Sequence, residues 1–307
     1  TLLKERIEKL YTPLPDISSF EKQLSEQEAF FQDYSSYFQV QSGDPSFDSM
    51  VNHNLPFQTL YQSFVSRAFD QTQKGYREIG FREVQDLYVS IPYLVASGRQ
   101  ALAEELLTNW IKNVYKMGYA NHNFFEVGKE PGMCSDDQLW LLPAVASYVD
   151  CTGDVSFLSK NFPMADSGER SLLNTIEAIL TYSVRISVGK HSLPLLDKAD
   201  WNDCLKIDVD CIDGPTKEKL YASQLKKYQT NYGTPFESDL SESVMNAFLA
   251  VVALDKAIGL ASLAKDDALL QKAEDYKKGL VKTIHSSCFI GSYYAQVLFN
   301  RKNPMNG

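Results

Sequence analysis

The chain has 307 residues, 44% of them hydrophobic and 22% charged, which is the make-up of an ordinary globular protein. Its formal net charge of -9 excludes a general attraction to polyanions, so nucleic acid and anionic membrane surfaces are not expected partners. Any phosphate it binds must therefore be held by locally placed arginines.

The length allows one large domain or two smaller ones. At the N-terminus Leu2, Leu3, Ile7 and Leu10 fall at helical spacing until Pro13 and Pro15 break the pattern. Ser19–Phe38 is rich in Glu, Gln, Phe and Tyr and poor in aliphatic residues. It reads as a long amphipathic connector lying on something else. Ser42–Phe47, with Gly43 and Pro45, reads as a turn. Residues 1–47 are thus expected to form a helical linker region, and residues 48–307 the main domain.

From there a helix–loop–helix pattern repeats. The spacing predicts helices near Leu55–Phe69, Val84–Ser97, Ala101–Met117, Ser135–Cys151, Gly168–Ser187, Glu242–Ile258 and Ala268–Ile284. Ser135 is expected to cap one helix, and Ser241-Glu-Ser the next long one. Strand-like runs are short: Ser192–Leu196 and Ile290–Phe299. The expected fold is mainly α, built of antiparallel helix pairs that amount to about half of a closed ring. No Gly-rich phosphate loop or zinc-spaced His/Cys set occurs, so no metal and no cofactor is expected.

The five cysteines, Cys134, Cys151, Cys204, Cys211 and Cys288, are odd in number and form no C-x-x-C pair. Free thiols are expected, and with them a cytoplasmic location. No run of eighteen apolar residues suggests a membrane span. The chain begins at Thr1 without Met and stops just after a strand-like run, so it is expected to be part of a longer polypeptide.

Three segments crowd polar residues where a helix pattern breaks. The first runs from Ser66-Arg67 to Gly75-Tyr-Arg-Glu-Ile-Gly-Phe-Arg-Glu83, with arginines and acids between aromatic residues. It is either a solvated loop or a partly buried rim suited to sugar hydroxyls or phosphate. The second, Gly132-Met-Cys-Ser-Asp-Asp-Gln-Leu-Trp140, reads as a capped helix start with Leu139 and Trp140 in the core. The third, Leu193-Pro-Leu-Leu-Asp-Lys-Ala-Asp-Trp-Asn-Asp-Cys204, places Trp201 between two carboxyls. A turn would account for the acids. A carboxyl against an indole is also desolvated and stays protonated near neutral pH, as a general acid must.

At these segments the sequence resembles the cellobiose and chitobiose phosphorylase family, from about Met50 onward. Ala199-Asp-Trp-Asn-Asp203 is similar to the family's Gly/Ala-Asp-Trp-Asn-Asp block. The resemblance implies that Asp203 is the general acid and that Trp201 contacts the sugar in subsite −1. Arg77-Glu-Ile-Gly-Phe-Arg-Glu83 is similar to the family's Arg-Gly-x-Gly-Phe-Arg-Asp, which implies sugar-binding roles for Arg77 and Glu83. Glu83 stands where Asp is usual, a departure from a cellobiose-type pocket. Val65-Ser-Arg67 is similar to a block whose Arg binds phosphate. Ser135-Asp-Asp, Glu242-Ser-Val, Asn52 and Gln58 resemble family landmarks of structural character.

The resemblance implies an (α/α)6 barrel, of which the N-terminal half to two-thirds would be present here behind linker helices. It implies inverting phosphorolysis of a β-glucoside to α-glucose 1-phosphate and a shortened acceptor. Phosphate is its own nucleophile and a co-substrate. Glu83 and the Lys198–Lys206 segment look most similar to 1,2-β-oligoglucan phosphorylases. The implied partners are a β-glucooligosaccharide, phosphate, the remainder of the catalytic domain and a β-sandwich domain, and a homodimer is compatible. Two alternatives stay open: an inverting hydrolase on the same barrel, with Glu242 as its base, and a non-catalytic carbohydrate-binding helical module.

Overall fold

A computed structural model describes residues 16–60, 84–120, 123–125, 128–130, 135–196 and 240–299. The chain divides into two compact units, Thr1–Gln62 and Ser63–Gly307.

In the first unit, α1 (Ile17–Ser36) starts where Asp16 accepts a hydrogen bond from the Ser19 amide at 2.7 Å. Asp44 caps α2 (Pro45–Ser49) in the same way, with Pro45 in the first turn, where it has no amide to lose. The helix continues through a wide turn, Met50–Asn54, into α3 (Leu55–Leu60). Asn52 braces the approach: its side chain accepts from the Val40 amide at 2.7 Å and donates to the Val40 carbonyl at 2.8 Å. The Phe31 and Phe57 rings meet edge to face at 6.0 Å and tie α1 to α3.

The second unit is mainly helical. α4 (Val84–Ala96) and α5 (Gln100–Ile111) are joined by a tight turn in which Gly98 takes a φ of +71°. α6 (Asp137–Thr152) ends at Gly153, which is left-handed and returns its amide to the Val149 carbonyl. α7 (Leu172–Thr181) runs on through a wide turn, Tyr182–Ile186. α8 (Val244–Ala264) and α9 (Asp267–Thr283) are linked by Lys265 and Asp266 alone, so they lie antiparallel.

α6 packs against α4, α5 and α8, while α8 also packs against α7 and α9. The core reflects that central place. Leu139, Leu141, Leu142, Val145 and Tyr148 of α6 are buried. So is an alanine-rich stripe of α8: Ala247, Ala250, Ala253, Ala257 and Ala261. Small side chains let neighbouring helices approach closely, and dispersion contacts then add up. By length and composition α8 is apolar enough to cross a membrane, yet here that stripe is packed as a core helix.

The strands among the described residues are short antiparallel pairs. β1 (Asn123–Phe125) pairs with β2 (Gly128–Glu130), β3 (Asn161–Pro163) with β4 (Glu169–Ser171), and β5 (Glu242–Ser243) with β6 (Val297–Leu298).

Several expected boundaries shift. The helix expected from Gly168 begins only at Leu172. Gly168, at φ +79°, turns the chain into β4, and Ser171 is the cap, accepting from the Asn174 amide. Ile290–Phe299 is not one strand. Gly291, at φ +88°, makes a turn closed by Ile290 N–H to the Tyr293 carbonyl, leaving Val297–Leu298 to pair. Glu242 and Ser243 are strand, so the long helix starts at Val244.

Candidate functional site

Residues 135–140, 187–196 and 240–246 come together in one buried polar seam. Ser135, Gln138, Ser241, Glu242, Ser243 and Asn246 are all buried. Buried polar groups are tolerated only when hydrogen-bonded, so their partners define what the seam does.

The segment 187–196 forms a hairpin. Val188 bridges Pro194, Gly189 N–H donates to the Leu193 carbonyl and Ser192 N–H to the Gly189 carbonyl. Glu242, wholly buried, inserts its carboxylate into this turn. Its Oε1 accepts from the His191 and Leu193 amides, each at 3.0 Å, and its Oε2 meets His191 Nδ1 at 2.6 Å. Charge-assisted bonds of this kind are about twice as strong as neutral ones. They require a glycine at 189: a Cβ there would lie 2.3 Å from Glu242 Cγ.

The same carboxylate has a second effect. Ser192 lies between the two amides that Glu242 holds, and it takes a φ of +64°, a left-handed conformation unusual for serine. Glu242 pins the backbone on both sides of that strained residue.

The far end of the hairpin is also held. Leu195 bridges Glu242, Leu196 N–H donates to the Ser241 carbonyl at 2.8 Å, and Ser243 N–H donates to the Pro194 carbonyl at 2.8 Å. Ser135 Oγ donates to the Leu196 carbonyl at 2.9 Å and accepts from Asn246 Nδ2. Gln138 Nε2 donates to the Ser135 carbonyl at 2.9 Å and to Ser183 Oγ at 3.2 Å. The starts of α6 and α8 therefore both grip the hairpin at Leu196, immediately before the Asp197–Asp203 segment.

Ser135 does not cap α6: its hydroxyl is committed to Leu196, and Asp136 occupies the cap position without a side-chain cap bond. Glu242 is not a helix cap either. Ser243 is, accepting from the Asn246 amide at 3.1 Å. Leu139 is buried as expected, but Trp140 is only half-buried. Its indole N–H donates to Asp136 Oδ2 at 3.3 Å and its ring tilts against Tyr88.

Arg67, Arg77, Glu83, Trp201 and Asp203, the five residues to which the sequence assigns phosphate, sugar and proton transfer, lie outside the described residues. The described residues abut two of these segments: α4 begins directly after Glu83, and the anchored Leu196 precedes Asp197.

Sequence reasoning missed Gly189, His191, Asn246 and Gln138. A glycine just before a predicted strand was the available signal for the first; nothing in the residue pattern marks the others as partners across more than forty positions. Cys288 sits by the same seam. Burial first and the Glu242 carboxylate second push its thiol above the ordinary range, so it is protonated and a poor nucleophile. Among the described residues no three His, Cys, Asp or Glu side chains gather as a metal site.

Comparison with known proteins places the chain. Residues 30–306 match the catalytic domain of the Glycosyl hydrolase 94 superfamily. N,N'-diacetylchitobiose phosphorylase of Vibrio proteolyticus is 27% identical over 228 residues, which is 65% of this chain and 28% of that protein. Solabiose phosphorylase of Paenibacillus borealis is 28% identical over 202 residues, 66% of this chain and 24% of that protein. The cyclic beta-(1,2)-glucan synthase NdvB of Rhizobium meliloti is 28% identical over 206 residues, 60% of this chain and 7% of that protein. The chain thus spans less than a third of the length of each of these relatives. With its match running through all three polar segments and the buried seam, the chain belongs to the Glycosyl hydrolase 94 superfamily.

Proposed function

We propose that this chain is catalytic-domain sequence of an inverting glycoside phosphorylase, built on an (α/α)6 barrel and acting in the cytoplasm on β-linked glucooligosaccharides, with β-1,2 linkages preferred. Asp203 protonates the glycosidic oxygen as the bond breaks. Phosphate attacks the anomeric carbon from the opposite face, which gives α-glucose 1-phosphate and a shortened acceptor. Arg67 holds the phosphate, while Arg77, Glu83 and Trp201 hold the sugar.

The observation that carries the choice of phosphorolysis over hydrolysis is the state of Glu242. An inverting hydrolase needs a second carboxylate roughly 6.5–9.5 Å from its acid, with a water between them. Glu242 was the sequence's best such base, and it is wholly buried, with two backbone amides and a histidine on its oxygens. A phosphorylase needs no base, because its nucleophile arrives already anionic. The names of two relatives, both phosphorylases, support the same choice, and the β-(1,2)-glucan in the third supports the linkage.

The test is a phosphorolysis screen of the full-length protein against β-1,2-, β-1,3- and β-1,4-glucooligosaccharides, with and without inorganic phosphate. Glucose 1-phosphate formed only with phosphate, and fastest from the β-1,2 series, is the expected result. Free glucose without phosphate would replace the reading with the hydrolase, and preference for another linkage would remove the β-1,2 assignment.

A further inference from the structure

A polar concavity lies beside the hairpin, lined by described residues of three elements. It is a cavity of about 200 Å³ between the wide turn after α7, the hairpin tip and α9. Its chemistry comes from Arg185, Ser192, Asp275, Tyr276 and Thr283. Pockets for larger organic ligands begin near roughly 300 Å³, so this one has room for a single small ring.

Two of its members are held in place before any ligand arrives. The Arg185 guanidinium lies over the Tyr276 ring, 5.5 Å from its centre. A stacked guanidinium keeps its planar fork of donors in a fixed orientation and loses less freedom on binding. Ser192 is held at φ +64° by the Glu242 carboxylate, which grips the amides on either side of it. A serine kept in a strained conformation by a buried charge is the pattern expected where a hydroxyl has to be placed at a site. Asp275 faces the same space from α9, with Gln271 Nε2 donating to its Oδ1 at 3.2 Å.

The mixture of groups selects the ligand. Arginine alone with two hydroxyls would suit an anion, but Asp275 places a carboxylate against one. Donors, an acceptor, the hydroxyls of Ser192 and Thr283 and the Tyr276 side chain together match the alternating hydroxyls of a neutral pyranose. The geometry points to this pocket as a binding subsite for one hexose unit of an oligosaccharide, supplied by Arg185, Ser192, Asp275, Tyr276 and Thr283. The choice of a glucan as the oligosaccharide rests on the phosphorylase reading; the pocket's preference for a neutral sugar does not.

The test is hydrogen exchange on the full-length protein, following segments 184–193 and 275–283 while β-1,2-glucopentaose is titrated, with inorganic phosphate as a second probe. The pentasaccharide should slow exchange in both segments. The Kd read from that protection should rise about tenfold in Asp275→Asn and in Ser192→Gly, the scale of one lost hydrogen bond to a charged group or its equivalent. Glycine adopts the positive φ without strain, so Ser192→Gly remains folded and should melt no lower than the unsubstituted protein. Protection with the tenfold shift supports the subsite whether or not the same protein releases glucose 1-phosphate. Three results overturn it: no protection by the sugar, protection that neither substitution changes, or protection by phosphate alone. A Ser192→Gly protein that melts lower and binds sugar unchanged assigns the hydroxyl to the fold and overturns it as well.

Discussion

Glu242→Gln keeps the shape of the side chain and removes its charge. The amide oxygen can still accept from His191 and Leu193, but those bonds lose their charge assistance, and the amide nitrogen adds a donor to a place that offered only an acceptor. A loss of about 2–3 kcal/mol in urea denaturation is expected, since bonds to charged groups each contribute about 1.5–3 kcal/mol. An unchanged midpoint would mean that the carboxylate is not what holds the hairpin. Gly189→Ala attacks the same contact from the other side. With its Cβ set 2.3 Å from Glu242 Cγ, it should cost about 1–3 kcal/mol, the usual range for overpacking. Glu242 was visible in the sequence, where its acid marked it as a base or part of a helix cap. Its actual role depends on a hairpin fifty positions earlier, and residue spacing carries no information about such a partner.

At the scale of elements, hydrophobic periodicity located the helices well. Val84–Ala96, Asp137–Thr152 and Asp267–Thr283 each fall within two residues of the predicted spans, while Gln100–Ile111 starts as predicted but ends six residues before Met117. The errors sit where a glycine reverses the chain, at Gly168 and Gly291, or where two residues of strand precede a helix, at Glu242–Ser243. Periodicity over a long window cannot see such short changes. The β1–β2 and β3–β4 hairpins escaped notice for the same reason.

The loop that follows α5 offers an element-scale test. Tyr119 stacks on Tyr115 at 4.4 Å between ring centres and tilts against Tyr182 at 5.6 Å. Arg170 braces the loop, donating to the Tyr115 and Lys116 carbonyls at 2.8 and 2.7 Å. Burial, with smaller contributions from Tyr115 and Asp166, pushes the Tyr119 phenol up to about 12. An acid whose folded value lies above its unfolded value of about 10 stabilises the protein fully below pH 10 and loses that stabilisation as the pH rises toward 12. The melting temperature should therefore fall between pH 10 and 12, and Tyr119→Phe should flatten that fall. An equal decline in both proteins would remove Tyr119 as its source.

For the molecule as a whole, the acidic balance sets the terms for phosphate. A net charge of -9 repels anions at long range, so the proposed phosphate binding falls to a locally placed arginine, the role given to Arg67. The family and the mainly helical fold were both legible in the sequence. The family showed through the Ala199–Asp203 and Arg77–Glu83 blocks, and the fold through repeated helix pairs. The buried seam was not, because it joins segments that share no local pattern. It fixes the chain at Leu196, the residue before Asp197.

The central claim is that the Asp203 carboxyl gives its proton to the leaving sugar while phosphate attacks. Its most direct test is the turnover of Asp203→Asn in the full-length protein, measured as glucose 1-phosphate released from a β-glucooligosaccharide at saturating phosphate, beside the sugar's Kd. The expected result is a fall of roughly 100-fold or more with the affinity nearly unchanged, the scale of a lost general acid. Retention of more than about a tenth of the turnover would contradict it.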